Sequence, residues 1–242
     1  MASGRHTAFI SGAGRGNGRA IAVELAKRGC NVVVNGFKNR TICDETADEV
    51  KALDVDALVV MGDIGKPDVV KAMAKEALAH FGTIDILVNN AAIRAHKPFL
   101  EITDEDWHAV FDTDLHSAAY LSRAFLPGMA AQKWGRIVNL TGKSAIAGAS
   151  ERAHVAAAKN ALWGLTRVLA REFGSSGITV NAVSPYMIGK GKAAPAAPDF
   201  SINAIGRKGK VTEVAALCGF LCSEDGGYIS GQMIGVDGAA GR

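Results

Sequence analysis

The feature that most constrains this chain is an alternation kept from end to end. Short β-branched or apolar runs are separated by longer segments whose apolar residues recur every three or four positions. Strands are predicted at His6–Ile10, Asn31–Asn35, Ala57–Met61, Ile84–Asn89, Arg136–Leu140, Thr179–Val183 and Met233–Val236. Helices are predicted at Gly18–Arg28, Thr41–Leu53, Pro67–Phe81, Asp104–Phe125, Glu151–Phe173 and Thr212–Leu221. Such alternation implies a doubly wound α/β sandwich of three layers, with a seven-stranded parallel sheet covered on both faces.

Composition agrees. With 242 residues, 48% hydrophobic and only six prolines, the chain is too apolar for a disordered or collagen-like polymer. It fits a single domain over 1–242. No apolar run approaches the ~20 residues of a membrane span. The opening MASGRHTAFISGAG does not read as a signal peptide, so a cytoplasmic protein is expected. A net charge of +3 without any Lys/Arg block argues against nucleic acid as a partner. Cys30, Cys43, Cys218 and Cys222 lack metal-ligand spacing, so buried thiols and no metal are expected. GKGKAAPAAP at Gly189–Pro198 is the one low-complexity stretch, read as a mobile surface loop over 189–200 and a candidate lid.

Ser11–Gly18, SGAGRGNG, falls between the first strand and the first helix. There backbone amides can turn toward an anion at a helix N-terminus, which suits a dinucleotide pyrophosphate. The spacing is not GxGxxG; the fitting glycines are Gly12, Gly16 and Gly18, with Arg15 and Asn17 between them. The second strand ends without the carboxylate that would bind a ribose diol. Asn35 and Lys38 stand there instead, near Arg15, and basic groups can neutralise a 2′-phosphate, so NADP(H) is favoured over NAD(H). Gly142-Lys143-Ser144 looks like the end of a triphosphate-binding loop, but the first glycine of that pattern would be Ile137, and the reading fails.

These residues resemble the short-chain dehydrogenase/reductase family. SGAGRGNG is similar to its TGxxxGIG, Asp63-Ile64 to its adenine-contacting Asp-Val/Ile pair, and Asn89–Ala92 (NNAA) to its NNAG, which places Asn90 and Ala91 by the cofactor. GRIVNL, KNALWGLTRVLAREF, GITVNAVSP and YISGQMIGVDGA follow in the family's order. The resemblance implies a Rossmann-like fold, a nicotinamide cofactor with Ile188 among its contacts, a small-molecule substrate, and a homodimer or homotetramer built through the long segments 104–125 and 151–173.

The same resemblance implies an Asn-Ser-Tyr-Lys tetrad, and here the sequence departs from it. Lys159 occupies the lysine position, Val155 that of the tyrosine, Gly142 that of the serine and Asp114 that of the asparagine. Thr141 or Ser144 could supply the serine hydroxyl after a small loop shift. Asp114 is read either as an ion-pair partner of Lys159 or as a solvated helix residue. Hydride transfer to a carbonyl leaves an alkoxide that needs a proton, and valine has none to give. Candidate donors are Tyr186, His154, Ser144 and Lys143, although His154 lies about 100° around the helix from position 155. Arg94, His96 and Trp107 are candidates for the substrate side. Three functions stay open: an NADP(H)-dependent oxidoreductase of small carbonyls or alcohols with a non-standard proton donor, a non-redox lyase, isomerase or dehalogenase, and a cofactor-binding pseudoenzyme.

Overall fold

A computed structural model describes residues 4–143, 147–189, 201 and 203–240. Residues 190–200 of the expected loop at 189–200, and Ser144, therefore lie outside the described residues. Seven strands, β1 (Thr7–Ile10), β2 (Asn31–Gly36), β3 (Ala57–Met61), β4 (Ile86–Asn89), β5 (Gly135–Leu140), β6 (Ile178–Pro185) and β7 (Met233–Val236), form one sheet. Its order is β3-β2-β1-β4-β5-β6-β7, every pairing parallel. The chain reverses direction of winding between β1 and β4, and in such sheets ligands bind outside the carboxyl ends of the strands at that switch point.

Helices α1 (Gly16–Lys27), α2 (Arg40–Lys51), α3 (Pro67–Phe81), α4 (Asp104–Phe111), α5 (Ser117–Gln132), α6 (Ala153–Phe173) and α7 (Val211–Leu221) cover the faces. Alternation along each strand splits the core in two. Ile10, Val32, Val34, Val88 and Val138 pack toward α1 and α7, while Phe9, Val33, Leu87, Ile137 and Val180 pack toward α3 and α5. Both faces of every central strand are therefore dry, which is why they read as continuous apolar runs. Among the described residues no helix is long and apolar enough to cross a membrane.

Two expected boundaries need correction because they bear on the site. The first helix begins at Gly16, not Gly18, since φ of +59° at Gly16 and the extended Arg15 bring the glycine turn directly into the first helical turn. Asp104–Phe125 is not one helix. It is broken by a π-turn at Asp112–His116 and resumes to Gln132. Periodicity carries no signal for this, because one extra residue in a turn leaves the apolar spacing nearly unchanged.

Candidate functional site

The glycine turn is held from below by side chains of other strands. Asn90 donates from Nδ2 to the carbonyls of Ser11 and Gly12 (2.9 and 3.0 Å), while Ser11 Oγ accepts from the amides of Asn90 and Ala91 (3.0 and 3.1 Å). The close approach leaves no room at Gly18, where a Cβ would stand 2.3 Å from the Gly12 carbonyl oxygen. At Gly16 a Cβ would meet nothing within 4 Å, so the backbone of the turn lies bare at the start of α1. No side chain caps that helix and no acid occupies its first turn. Uncapped amides at the positive end of a helix dipole fit the pyrophosphate of a dinucleotide.

Asn35 does not serve as expected. It is buried and its side chain is engaged inward, accepting from the Gly12 amide (3.3 Å) and donating to the Val60 carbonyl (3.1 Å). It shapes the turn instead of facing a ligand. Arg15 and Lys38 are exposed and form no ion pair among the described residues; Lys38 Nζ lies 5.4 Å over the Phe37 ring. Gly36 at the end of β2 faces the Cys43 thiol, which would be 2.3 Å from a Cβ, so no larger side chain fits there. Asp63 is half-buried and accepts from the Gly65 amide (2.9 Å), with Ile64 buried beside it. Sequence reasoning misses the parts played by Ser11, which acts on residues distant along the chain, and by Cys43, which packs from α2 against the end of β2.

Across the switch point the second half of the site gathers around the π-turn. Asp114 projects from it into the interior, 2% exposed, and accepts from the Ile93 amide at 2.7 Å. Lys159 of α6, 4% exposed, donates to the Leu140 carbonyl (2.9 Å) and approaches Asp114 Oδ2 to 3.2 Å. The solvated alternative for Asp114 is thus overturned: it forms a buried ion pair. Burial pushes its carboxyl up, against the pull of Lys159, the Ile93 amide and Arg94.

Val155 is packed with Val110, Ala158, Ile93 and Phe111, so its position is filled by apolar contacts. His154 is fully buried, with neither ring nitrogen hydrogen-bonded among the described residues, and so has no exposed edge to offer a substrate. The Thr141 hydroxyl is turned to the Val183 carbonyl (3.1 Å). Gly142 has φ of +154°, a backbone favouring glycine, beside Pro185. Tyr186 follows β6 directly and is half-buried, with Lys143 Nζ 4.6 Å from its ring centroid. Ile188 is half-buried and bridges to Gly209. Among the expected residues, the structure therefore brings Tyr186, Lys143 and Gly142 together at one end of β5 and β6, and pairs Asp114 with Lys159 in the interior nearby.

The fold and sequence are shared with known proteins. A family model described as Enoyl-(Acyl carrier protein) reductase matches residues 12–239. The 3-oxoacyl-[acyl-carrier-protein] reductase FabG of Staphylococcus epidermidis is 35% identical over 237 residues, covering 96% of this chain and 97% of that protein. The crystal structure of acetoin dehydrogenase YohF from Salmonella typhimurium superposes with a TM-score of 0.92 at 28% identity, covering 98% of this chain and 96% of the other. A putative gluconate dehydrogenase from Agrobacterium tumefaciens gives a TM-score of 0.88 at 32% identity, over 98% and 95% of the two chains.

Proposed function

Because this chain belongs to the short-chain dehydrogenase/reductase family, we propose that it is an oxidoreductase using NADP(H) on a small carbonyl or alcohol, with Tyr186 in place of the missing proton donor. The observation that carries the reading is the glycine turn, bare at Gly16 and uncapped at the start of α1. The amides around Gly12, Gly16, Asn17 and Gly18 would hold the pyrophosphate, and Asp63 and Ile64 the adenine. Asn90 and Ala91 would line the adenosine ribose, with Ile188 beside the nicotinamide. Arg15 and Lys38, free of carboxylate partners among the described residues, suit a 2′-phosphate. Lys159, fixed by Asp114 and Leu140, would hold the nicotinamide ribose.

A bound nicotinamide would supply the hydride. The carbonyl oxygen then carries the negative charge, and the phenolic proton of Tyr186 moves to it. Lys143 over the ring stabilises the phenolate left behind, as cations do near π faces and oxyanions. Solvent returns the proton. Self-association through α5 and α6 belongs to the same reading: Leu126, Leu165 and Phe173 line a groove of about 330 Å³ between these helices.

The test is a calorimetric titration with NADPH and NADH, followed by NADPH oxidation against a panel of carbonyls. NADPH should bind at least about tenfold tighter than NADH, and Arg15→Ala with Lys38→Ala should erase the difference. Tyr186→Phe should lower kcat by about 10²–10⁴-fold with nucleotide binding intact. Failure to bind either nucleotide would overturn the oxidoreductase reading; full activity in Tyr186→Phe would overturn the choice of donor.

A further inference from the structure

The loop that follows β4 is fixed at both ends. Ile93 donates its amide to Asp114, and Lys97 donates its own to the Glu151 carbonyl (2.8 Å), just before α6. Between these two staples lie Arg94 and His96, at the carboxyl ends of the strands where ligands bind in such sheets. Arg94 is exposed and close enough to Asp114 to draw its carboxyl down. His96 is exposed too and accepts from Arg152 Nε at 2.9 Å, which fixes the guanidinium at the start of α6. Arg152 stands at the N-cap of a 21-residue helix with no side-chain cap and no acid in its first turn.

The charges at this mouth do not balance. Lys97 is matched by Asp106, and Lys159 by Asp114, whereas Arg94 and Arg152 form no ion pair with a carboxylate among the described residues. Glu151, whose backbone carbonyl holds the loop, has an exposed side chain and pairs with neither guanidinium among the described residues. Two guanidinium groups without a carboxylate partner among the described residues thus stand on this stapled loop and on the uncapped helix end next to it. Resting on the oxidoreductase reading, we propose that Arg94 and Arg152, with His96 orienting the latter, bind a carboxylate on the substrate, so that this chain acts on small oxo- or hydroxy-acids. Guanidinium groups suit this task because their planar fork matches a carboxylate's two oxygens. A site built for a carboxylate also rejects a neutral analogue strongly, because its donors would be left unpaired.

The experiment compares 2-oxobutyrate and acetoacetate with their methyl esters, using the full chain saturated with NADPH. The acids should be preferred by about tenfold or more in kcat/KM. Arg152→Ala and Arg94→Ala should each cut that preference about tenfold through KM, Arg152→Lys should restore part of it, and Lys75→Ala on the exposed face of α3 should leave it unchanged. Equal use of acid and ester, or equal losses for both in the arginine variants, would overturn the proposal while leaving the redox reading standing. Calorimetric titration of the same acids separates the two failures. Acid binding that disappears in Arg152→Ala, without any NADPH oxidation, would sink the redox reading alone. Absence of both acid binding and acid turnover would sink the carboxylate site.

Discussion

Two buried aspartates sit at opposite ends of the same sheet and have been treated in opposite ways. Asp85, immediately before β4, is 4% exposed; Asp114, beyond the strands' carboxyl ends, is 2% exposed. Asp85 accepts from the Thr7 amide (2.7 Å), Gln132 Nε2 (2.6 Å) and Thr83 Oγ1 (3.1 Å), with His6 Nδ1 3.7 Å away. Burial pushes its carboxyl up, but these donors outweigh that push and hold it below its ordinary value. Asp114 has one amide and one ammonium, and its Oδ2 makes no hydrogen bond among the described residues. There burial prevails. The donors gathered on Asp85 thus outweigh its burial, whereas Lys159, the Ile93 amide and Arg94 do not outweigh that of Asp114, and of these two carboxylates only the one at the ligand-facing end of the sheet is left unfinished.

Deleting each carboxylate should separate the two ends of the sheet most strongly. Asp114→Ala leaves Lys159 buried with only a carbonyl, and should cost about 3–5 kcal/mol in urea unfolding. Asp85→Ala strands the Thr7 amide and the Thr83 and Gln132 side chains, and should cost only about 1–3 kcal/mol. Equal losses would mean that the Lys159 charge is compensated by something other than Asp114.

Glycines at the two ends separate stability from ligand binding. Gly18→Ala presses a methyl group against the Gly12 carbonyl and should cost about 1–3 kcal/mol while abolishing measurable NADPH binding by calorimetry. Gly135→Ala at the start of β5 meets the Met129 side chain, and should cost a similar or smaller amount with NADPH affinity unchanged.

The finest test is the sign of the pH dependence. The folded value of Asp85 lies below 3.8, so its contribution is present above pH 3.8 and is lost as the pH falls through the folded value. For Asp114 the folded value lies above 3.8, so its contribution instead grows as the pH falls from above that value toward 3.8. Stabilities of Asp85→Asn and Asp114→Asn, followed by urea unfolding across this acid range, should therefore diverge from the parent with opposite slopes. Slopes of the same sign would overturn the contrast.

The sheet is legible in the sequence because burial on both faces writes uninterrupted runs such as Val32–Val34 and Ile137–Val138. The helix that carries Val155 and Lys159 is legible too, since its apolar residues recur at three- and four-residue spacing. What escapes depends on partners far away in the chain. The π-turn at Asp112–His116 aims Asp114 at the Ile93 amide and Lys159, neither of which leaves a mark on local periodicity. Asn35 reads as a ligand contact because its place at the end of β2 is visible in the sequence, whereas its inward bonds to Gly12 and Val60 are not.

Gly142 and Val155 are both hard to exchange for larger, hydroxyl-bearing residues. With φ at +154°, a serine restored there would meet a backbone that glycine alone takes without strain, at a cost of about 1–3 kcal/mol. A tyrosine restored at position 155 would likewise enter space already filled by Val110 and Ala158. Placing hydroxyl-bearing side chains at these two positions therefore means rebuilding a loop and a packing layer before any side chain is exchanged.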